Sequence, residues 1–181
     1  MATRPYPPEL EGKLELRDGS TVTVRPIRPE DAALETRFID GLSGQSRYQR
    51  FLNQMAHLPP QLLDRFTHID YGREMALVAL APGDAEFIGV ARYAPNAGGD
   101  SAGFALANTA EFALTVADAW QGRGLGHALL EKLCVCAHAA GYAALDGLIL
   151  NANGDMLELA EQLGFVRTGH DGDTVTVVRR L

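Results

Sequence analysis

The amino-acid sequence predicts a mixed α/β (α+β) domain built around one central sheet. Three observations predict it: strand-like and helix-like segments alternate along the chain, no linker or repeat divides it, and 181 residues are typical of one domain. Hydrophobic residues make up 46% and charged residues 22% of the chain, which excludes disordered and low-complexity classes. We expect a Pro-rich tail over residues 1–12 and a single domain over residues 13–181.

Charge and hydropathy exclude two classes of partner. The net charge is −7, from 16 Lys and Arg against 23 Asp and Glu, whereas a nucleic-acid-binding protein needs a basic surface. The chain contains no run of about 18 apolar residues, and its start lacks the apolar core of a signal peptide. We therefore expect a cytoplasmic protein that binds neither nucleic acid nor membrane.

The first half of the chain predicts a hairpin, helices and two strands. Residues 13–17 and 21–27 alternate in polarity around Asp18 and Gly19, which is typical of a β-hairpin. Pro29 and the acids beside it favour the start of an amphipathic helix. The later segments are a helical or loop stretch over 46–52, a helix over about 60–68, strands over 75–80 and 87–93, and a loose stretch over about 95–109.

The second half alternates strands and helices. Phe112, Leu114 and Val116 share one face of a strand over residues 111–117, which turns Glu111 towards the opposite face. The other segments are a helix over 124–140 ending at Gly141, a buried strand over 145–150, a helix from the N-cap Asn153 to Leu163, and a closing hairpin over 165–168 and 174–178.

The cysteines and histidines predict neither a disulfide nor a metal site. Cys134 and Cys136 lie two residues apart in a predicted helix, so their side chains point to opposite faces and cannot pair. Cys134 and His138 share a face, but no further ligand accompanies them. We expect both cysteines to be small buried residues in a reducing compartment.

Residues 111–127 carry the chemistry. A strand leads into Gly122, Gly124 and Gly126, where a long helix begins. Glycines let backbone amides approach a phosphate, and a helix start adds unpaired donors and the positive end of its dipole. The pattern predicts an anion site, above all for a pyrophosphate; the alternative is a turn that needs glycine only for positive φ.

Two common nucleotide loops do not match this segment. The dinucleotide pattern G-x-G-x-x-G fails because His127 or Leu129 occupies its last position. The Walker pattern fails because no Lys-Ser or Lys-Thr follows the glycines.

The sequence resembles the GNAT N-acetyltransferase superfamily. Gln121-Gly-Arg-Gly-Leu-Gly126 is similar to its acyl-CoA motif Q/R-x-x-G-x-G/A, and Asn153 followed by Leu-Gly-Phe at 163–165 is similar to a later family motif. More narrowly, residues 16–31, 42–51 and 110–113 resemble the acetyltransferase domain of bacterial Pat-type protein lysine acetyltransferases. The resemblance covers about residues 16–180.

The resemblance implies a mostly antiparallel sheet with helices on both faces, splayed between its fourth and fifth main strands. Acetyl-CoA, the acyl donor, would lie in the resulting cleft. Backbone groups of Leu114, Thr115 and Val116 would hold its pantetheine arm, and Asn153 would contact that arm, cap its helix, or do both. The residues implied for the pyrophosphate are Gln121, Gly122, Arg123, Gly124, Leu125 and Gly126, acting through backbone amides. Arg123 would add a charge-assisted contact or be an exposed arginine with no fixed partner.

The resemblance also implies a general base. Similar proteins carry a glutamate at the position of Glu111 in their Ala-Glu-Phe pattern; the alternative is a polar residue on a solvated strand face. Many family members carry a tyrosine general acid at the position that Ala160 occupies here. Tyr142 and Asn151 are alternative proton donors, and a thiolate can also take its proton from water.

The function implied is metal-free N-acetylation of a primary amine, including a protein lysine, by direct attack on acetyl-CoA. Pat-type proteins often carry an acyl-CoA synthetase-like region or a cyclic-nucleotide domain, and 181 residues have room for neither. A small-molecule amine is therefore the main alternative acceptor. A different class of function, a non-catalytic acyl-CoA-binding sensor, has the same cofactor motifs. We expect the acceptor-binding residues among residues 43–51.

Overall fold

An eight-stranded mixed sheet forms the centre of the computed structural model, which describes residues 4–55, 57–96 and 108–181. In chain order its strands are β1 (Gly12–Glu15), β2 (Thr21–Pro26), β3 (Met75–Leu80), β4 (Phe87–Pro95), β5 (Thr109–Val116), β6 (Ala144–Leu150), β7 (Val166–Asp171) and β8 (Thr174–Arg180). The spatial order is β1-β2-β3-β4-β5-β6-β8-β7. This confirms the predicted fold class. Most of the loose stretch expected over 95–109 lies outside the described residues.

Helices cover both faces of the sheet, as predicted, and the described residues form five α-helices. They are α1 (Ala32–Gly41), α2 (Gly44–Phe51), α3 (Pro60–Thr67), α4 (Leu125–Ala139) and α5 (Gly154–Gln162). Leu129 and Leu133 of α4 pack in the buried cluster on one face, and Phe38 of α1 packs in the cluster on the other. The helix expected to begin at Pro29 opens with a 3-10 turn over Pro29–Asp31, and Asp31 accepts two 2.7 Å hydrogen bonds from the Arg25 guanidinium of β2.

Strands β5 and β6 form the one parallel pair among the described strands, and they separate after three residues. Residues 109–111 pair with 144–146, whereas β5 pairs with β4 over seven residues. The Phe112 ring occupies the space beside Gly147, where a Cβ would lie 2.5 Å from Phe112 Cε1. The two strands therefore splay apart. This is the predicted position of the splay, since β5 and β6 are the fourth and fifth main strands when the short β1 is not counted.

Helix α4 buries both cysteines, as expected. Cys134 and Cys136 are both buried free thiols, and burial raises the pKa of each. The helix ends before Gly141, whose φ of +88° suits glycine. No helix in the described ranges is long and apolar enough to cross a membrane.

Candidate functional site

The splay between β5 and β6 opens into a cleft of about 590 Å³. Its walls are residues 111–116 of β5, residues of α2, residues of α5 with its cap, and, from the loop and first helical turn after β5, Gln121, Gly122, Gly124, Gly126 and His127. Arg17, from the turn between β1 and β2, lines the same cleft. Segments far apart in sequence therefore meet around one space.

The exposed edge of β5 supplies backbone groups to this cleft. Ala117 N donates to Ile88 O at 2.9 Å, so Ala117 points its backbone towards β4. Antiparallel pairing alternates along a strand, and the backbone groups of Leu114 and Val116 therefore face the cleft while those of Thr115 face β4. The Thr115 side chain supplies a different group, because its Oγ1 is buried and has no hydrogen-bond partner among the described residues.

The glycine loop presents unpaired backbone donors. Among the described residues, none accepts a hydrogen bond from the amides of residues 122–127, and the first amide of α4 with a carbonyl partner is that of Ala128. Gly122 and Gly124 have φ values of +73° and +87°, which glycine adopts without strain. Gly126 has a different reason to be glycine, since a Cβ there would lie 3.2 Å from Leu159 Cδ1. The first turn of α4 thus packs closely on α5 while its amides stay free.

The side chains of the loop divide between the cleft and its surroundings. Gln121 lines the cleft and donates from Nε2 to Val116 O at 3.1 Å. Arg123 lies outside the cleft lining: its Nη1 is 3.1 Å from Asp18 Oδ2, and its guanidinium stacks 4.7 Å from the centre of the Trp120 ring. Leu125 is 1% exposed and belongs to the core. Only the backbone of Leu125 can reach a ligand.

Asn153 lies at the start of α5 and lines the cleft. Its Oδ1 accepts a hydrogen bond from Met156 N at 3.2 Å, so the expected helix cap is present. The side-chain nitrogen Nδ2 of Asn153 is not used by the cap, and its contact with pantetheine stays a prediction.

Glu111 is exposed to the cleft on the sheet face opposite Phe112. It lies beside Asp146 in the parallel register of β5 and β6. Partial desolvation by the cleft walls raises the pKa of Glu111, the charge of Asp146 raises it further, and Arg50 lowers it. The carboxylate is therefore a weaker acid and a stronger base than a free glutamate.

Asp146 is a buried acid that sequence reasoning missed. It is 5% exposed; its Oδ2 accepts a hydrogen bond from Asn96 Nδ2 at 2.8 Å, and its Oδ1 has no partner among the described residues. Burial raises the pKa of Asp146. The signal available in the sequence was a single acid within the apolar run 145–150.

Helix α2 lines the cleft through residues spaced four apart, Gln45 with Gln49 and Ser46 with Arg50. These residues lie within the expected acceptor-binding segment 43–51, and the i,i+4 spacing was the readable signal. The carboxylate of Asp118 fixes the start of α2, because it accepts hydrogen bonds of 2.8 Å from the hydroxyls of both Ser43 and Ser46.

Arg50 brings a positive charge to the cleft. Its guanidinium stacks on the ring of Phe66 with 5.6 Å to the ring centre. Desolvation, followed by repulsion from Arg92, lowers the pKa of Arg50 to about 10, and Glu111 opposes that shift. Arg50 therefore stays charged at neutral pH and favours the ionised form of Glu111.

The two alternative proton donors, Tyr142 and Asn151, are not part of the described cleft lining. Tyr142 donates to Arg73 O at 2.8 Å, and Asn151 donates to Gly172 O at 3.3 Å. Ala160, which occupies the position of the family tyrosine, is fully buried in the core. Within the described part of the chain, no group of three His, Cys, Asp or Glu residues is placed to hold a metal ion.

Comparison with known proteins identifies a family. Residues 44–165 match the model of the acetyltransferase (GNAT) family. The chain is 36% identical over 168 residues to acetyltransferase PA5475 of Pseudomonas aeruginosa, covering 92% of this chain and 86% of that protein. It is 30% identical over 165 residues to acetyltransferase Pat of Mycolicibacterium smegmatis, covering 87% of this chain and 45% of that protein.

Solved structures agree with the family match. The GNAT domain of S. lividans PAT superposes with a TM-score of 0.89 at 34% identity, covering 98% of this chain and all of that domain. The fold is also that of yncA from Salmonella typhimurium, a putative acetyltransferase solved with its cofactor acetyl-CoA, at a TM-score of 0.69 and 22% identity over 90% of this chain and 95% of that one.

Proposed function

The chain belongs to the GNAT family of acetyltransferases, and from that premise we propose that it transfers an acetyl group from acetyl-CoA to a primary amine with Glu111 as general base. The observation that carries the proposal is that Glu111 and the unpaired amides of residues 122–127 open into one cleft. The amides suit an anionic donor, and the carboxylate suits a protonated acceptor. This arrangement supports an acyl-transfer site with a donor end and an acceptor end.

The donor would be held mainly by backbone. The amides of residues 122–127 would bind the pyrophosphate, with the positive end of the α4 dipole behind them. Backbone groups of Leu114 and Val116 would hold the amides of the pantetheine arm as a neighbouring strand does. The unpaired Oγ1 of Thr115 and the amide of Asn153 supply further polar groups along the cleft.

Glu111 would remove the proton that keeps the acceptor unreactive. A lysine-like amine has a pKa near 10.4, so its neutral form costs about 4.6 kcal/mol at pH 7. The raised pKa of Glu111 brings it nearer to the working pH, where a general base is most effective. The nitrogen then forms its bond to the acetyl carbon as the carbon–sulfur bond breaks. The nitrogen loses its second proton to water, and water protonates the leaving thiolate.

The acceptor would be a cationic amine, with a protein lysine as the leading class. Among the described residues, the acids that line the cleft would attract such a group; they are Glu111, Asp118, Asp155 and Glu158. The resemblance to Pat-type protein lysine acetyltransferases supports a lysine, and the S. lividans and M. smegmatis relatives carry the name Pat. A small-molecule amine is the alternative, since the chain matches less than half of the M. smegmatis protein.

A thiol-release screen with acetyl-CoA tests this function. Lysine-containing proteins and a panel of small amines would be compared as acceptors, with release of CoA thiol as the readout. Turnover is expected with acceptors that are cationic before reaction. Their kcat/KM should fall as salt is raised, because exposed charges are screened over about 10 Å at 0.1 M. Turnover only with alcohols or anionic aromatic acceptors would contradict the proposal.

The pH profile of kcat/KM should respond to Asp146, the acid beside Glu111. Asp146→Asn keeps an oxygen acceptor for Asn96 but removes the charge that raises the pKa of Glu111. The pKa of Glu111 should then fall, and because the base works when deprotonated, the acidic limb of kcat/KM should move to lower pH. Arg50→Gln removes the opposing charge and should move that limb to higher pH. Coincident profiles for all three proteins would show that Glu111 does not set the acidic limb.

A further inference from the structure

The turn between β1 and β2 reaches the glycine loop. Arg17 N donates to Arg123 O at 3.2 Å, and the Arg17 side chain lies over Gly124, where a Cβ would be 3.1 Å from its Nε. Arg17 is exposed and lines the cleft. Among the described residues, none forms a hydrogen bond or ion pair with its guanidinium. A permanent cation without a protein partner therefore lies over the start of α4.

Arg123, the arginine within the loop itself, is differently placed. Its guanidinium is shared between the Asp18 carboxylate and the face of the Trp120 ring, and it is not part of the cleft lining. Binding a ligand through Arg123 would require it to leave these partners. Arg17 needs no such exchange.

The distribution of charge in the cleft leads to the same residue. Arg17 and Arg50 are the two permanent cations among the described residues that line it. Arg50 belongs to α2 and interacts with Glu111, so it lies at the acceptor end. The amides of residues 122–127 lie at the other end of the cleft. Among the described residues that line that end, Arg17 is the one permanent cation.

From this arrangement we infer that Arg17 is a cofactor-binding residue, whose guanidinium binds the pyrophosphate of the acyl donor over Gly124. This inference rests on the proposed function. Arginine suits the role because its planar guanidinium can donate two parallel hydrogen bonds to phosphate oxygens. The amides supply partial charge and Arg17 supplies a full one. The hairpin of β1 and β2 is therefore part of the cofactor site.

The test compares Arg17→Gln with Lys13→Gln, which removes one positive charge from the same hairpin outside the cleft. Acetyl-CoA, acetyl-dephospho-CoA and acetyl-pantetheine serve as donors, with dissociation constants from calorimetry and KM and kcat from thiol release. Arg17→Gln should weaken both pyrophosphate-containing donors by roughly 10- to 100-fold, the usual effect of losing a hydrogen bond to a charged group. The KM for acetyl-pantetheine and every constant of Lys13→Gln should stay near the wild-type value.

Each other outcome overturns the inference in a recognisable way. If Arg17→Gln bound acetyl-CoA as tightly as the wild type, Arg17 would not be a cofactor-binding residue. If Arg17→Gln lost affinity for acetyl-CoA alone, Arg17 would bind the 3′-phosphate and not the pyrophosphate. If Arg17→Gln also weakened acetyl-pantetheine equally, the role of Arg17 would be structural. If Arg123→Gln weakened acetyl-CoA more than Arg17→Gln does, Arg123 would be the residue that binds the pyrophosphate. A wild-type protein that binds none of the donors would instead refute the proposed function.

Discussion

Replacing Glu111 with glutamine should lower turnover by about 10²–10⁴, the usual scale of general base catalysis. The amide keeps the size and hydrogen bonding of the carboxylate but cannot accept a proton at neutral pH. Because Glu111 is exposed and lies outside the core, the fold and the affinity for acetyl-CoA should survive. The loss should shrink at high pH, where more of the amine is already neutral. Measuring kcat/KM against pH for both proteins provides the comparison.

Glu131→Gln is the matched control for that variant. It removes the same charge from an exposed position of α4 outside the cleft lining and should leave turnover close to wild type. Near-equal rates and parallel pH profiles for Glu111→Gln and the wild type would make Glu111 a structural residue. That result would favour the acyl-CoA-binding sensor over the enzyme.

Replacing Gly124 with valine should abolish stabilisation by acetyl-CoA. The wild type should gain roughly 2.7 kcal/mol with ligand at 100 times its dissociation constant. In a chain of this size that is about 5–10 °C in melting temperature. A branched side chain at φ +87° is strained, and its Cβ would displace Arg17 from its place over the loop. The ligand-induced shift should therefore disappear, as measured by thermal melting with and without acetyl-CoA.

Gly141→Val separates backbone strain from ligand binding. Gly141 lies at the other end of α4 with φ +88°, and nothing lies within 4 Å of a Cβ built there. Both variants should melt at lower temperature than the wild type in the absence of ligand. Only Gly141→Val should keep the shift with acetyl-CoA. A wild type that responds to NAD or ATP but not to CoA would contradict the assignment of the glycine loop.

Local patterns predicted the elements that carry the site. The alternation of residues 111–116 placed Glu111 opposite Phe112, and the glycines before α4 placed unpaired amides at a helix start. Asn153 was readable as a cap because its hydrogen bond spans three residues. In each case the interaction that decides the structure lies within a few residues of the signal.

The remaining site residues depend on contacts between distant segments. Asp18 pairs with Arg123 across 105 residues, so no local pattern could show that Arg123 is engaged and Arg17 free. Asp146 lies beside Glu111 only through the parallel register that the α4 crossover sets. The orientation of α2 depends on Asp118, 75 residues from Ser43. Tertiary packing decided these placements, and periodicity carries no information about it.

The short pairing of β5 with β6 is the weakest backbone connection between neighbouring strands at the cleft. Three residue pairs join these strands, against seven on either side, between β4 and β5 and between β6 and β8. Local opening is easiest where few contacts hold the structure together. A donor held by β5 on one side and by Asn153 on the other would bridge this boundary. The rings of Phe112 and Phe165 pack with their centres 4.9 Å apart beside it. We expect smaller side chains at these two positions to widen the cleft and to admit longer acyl chains.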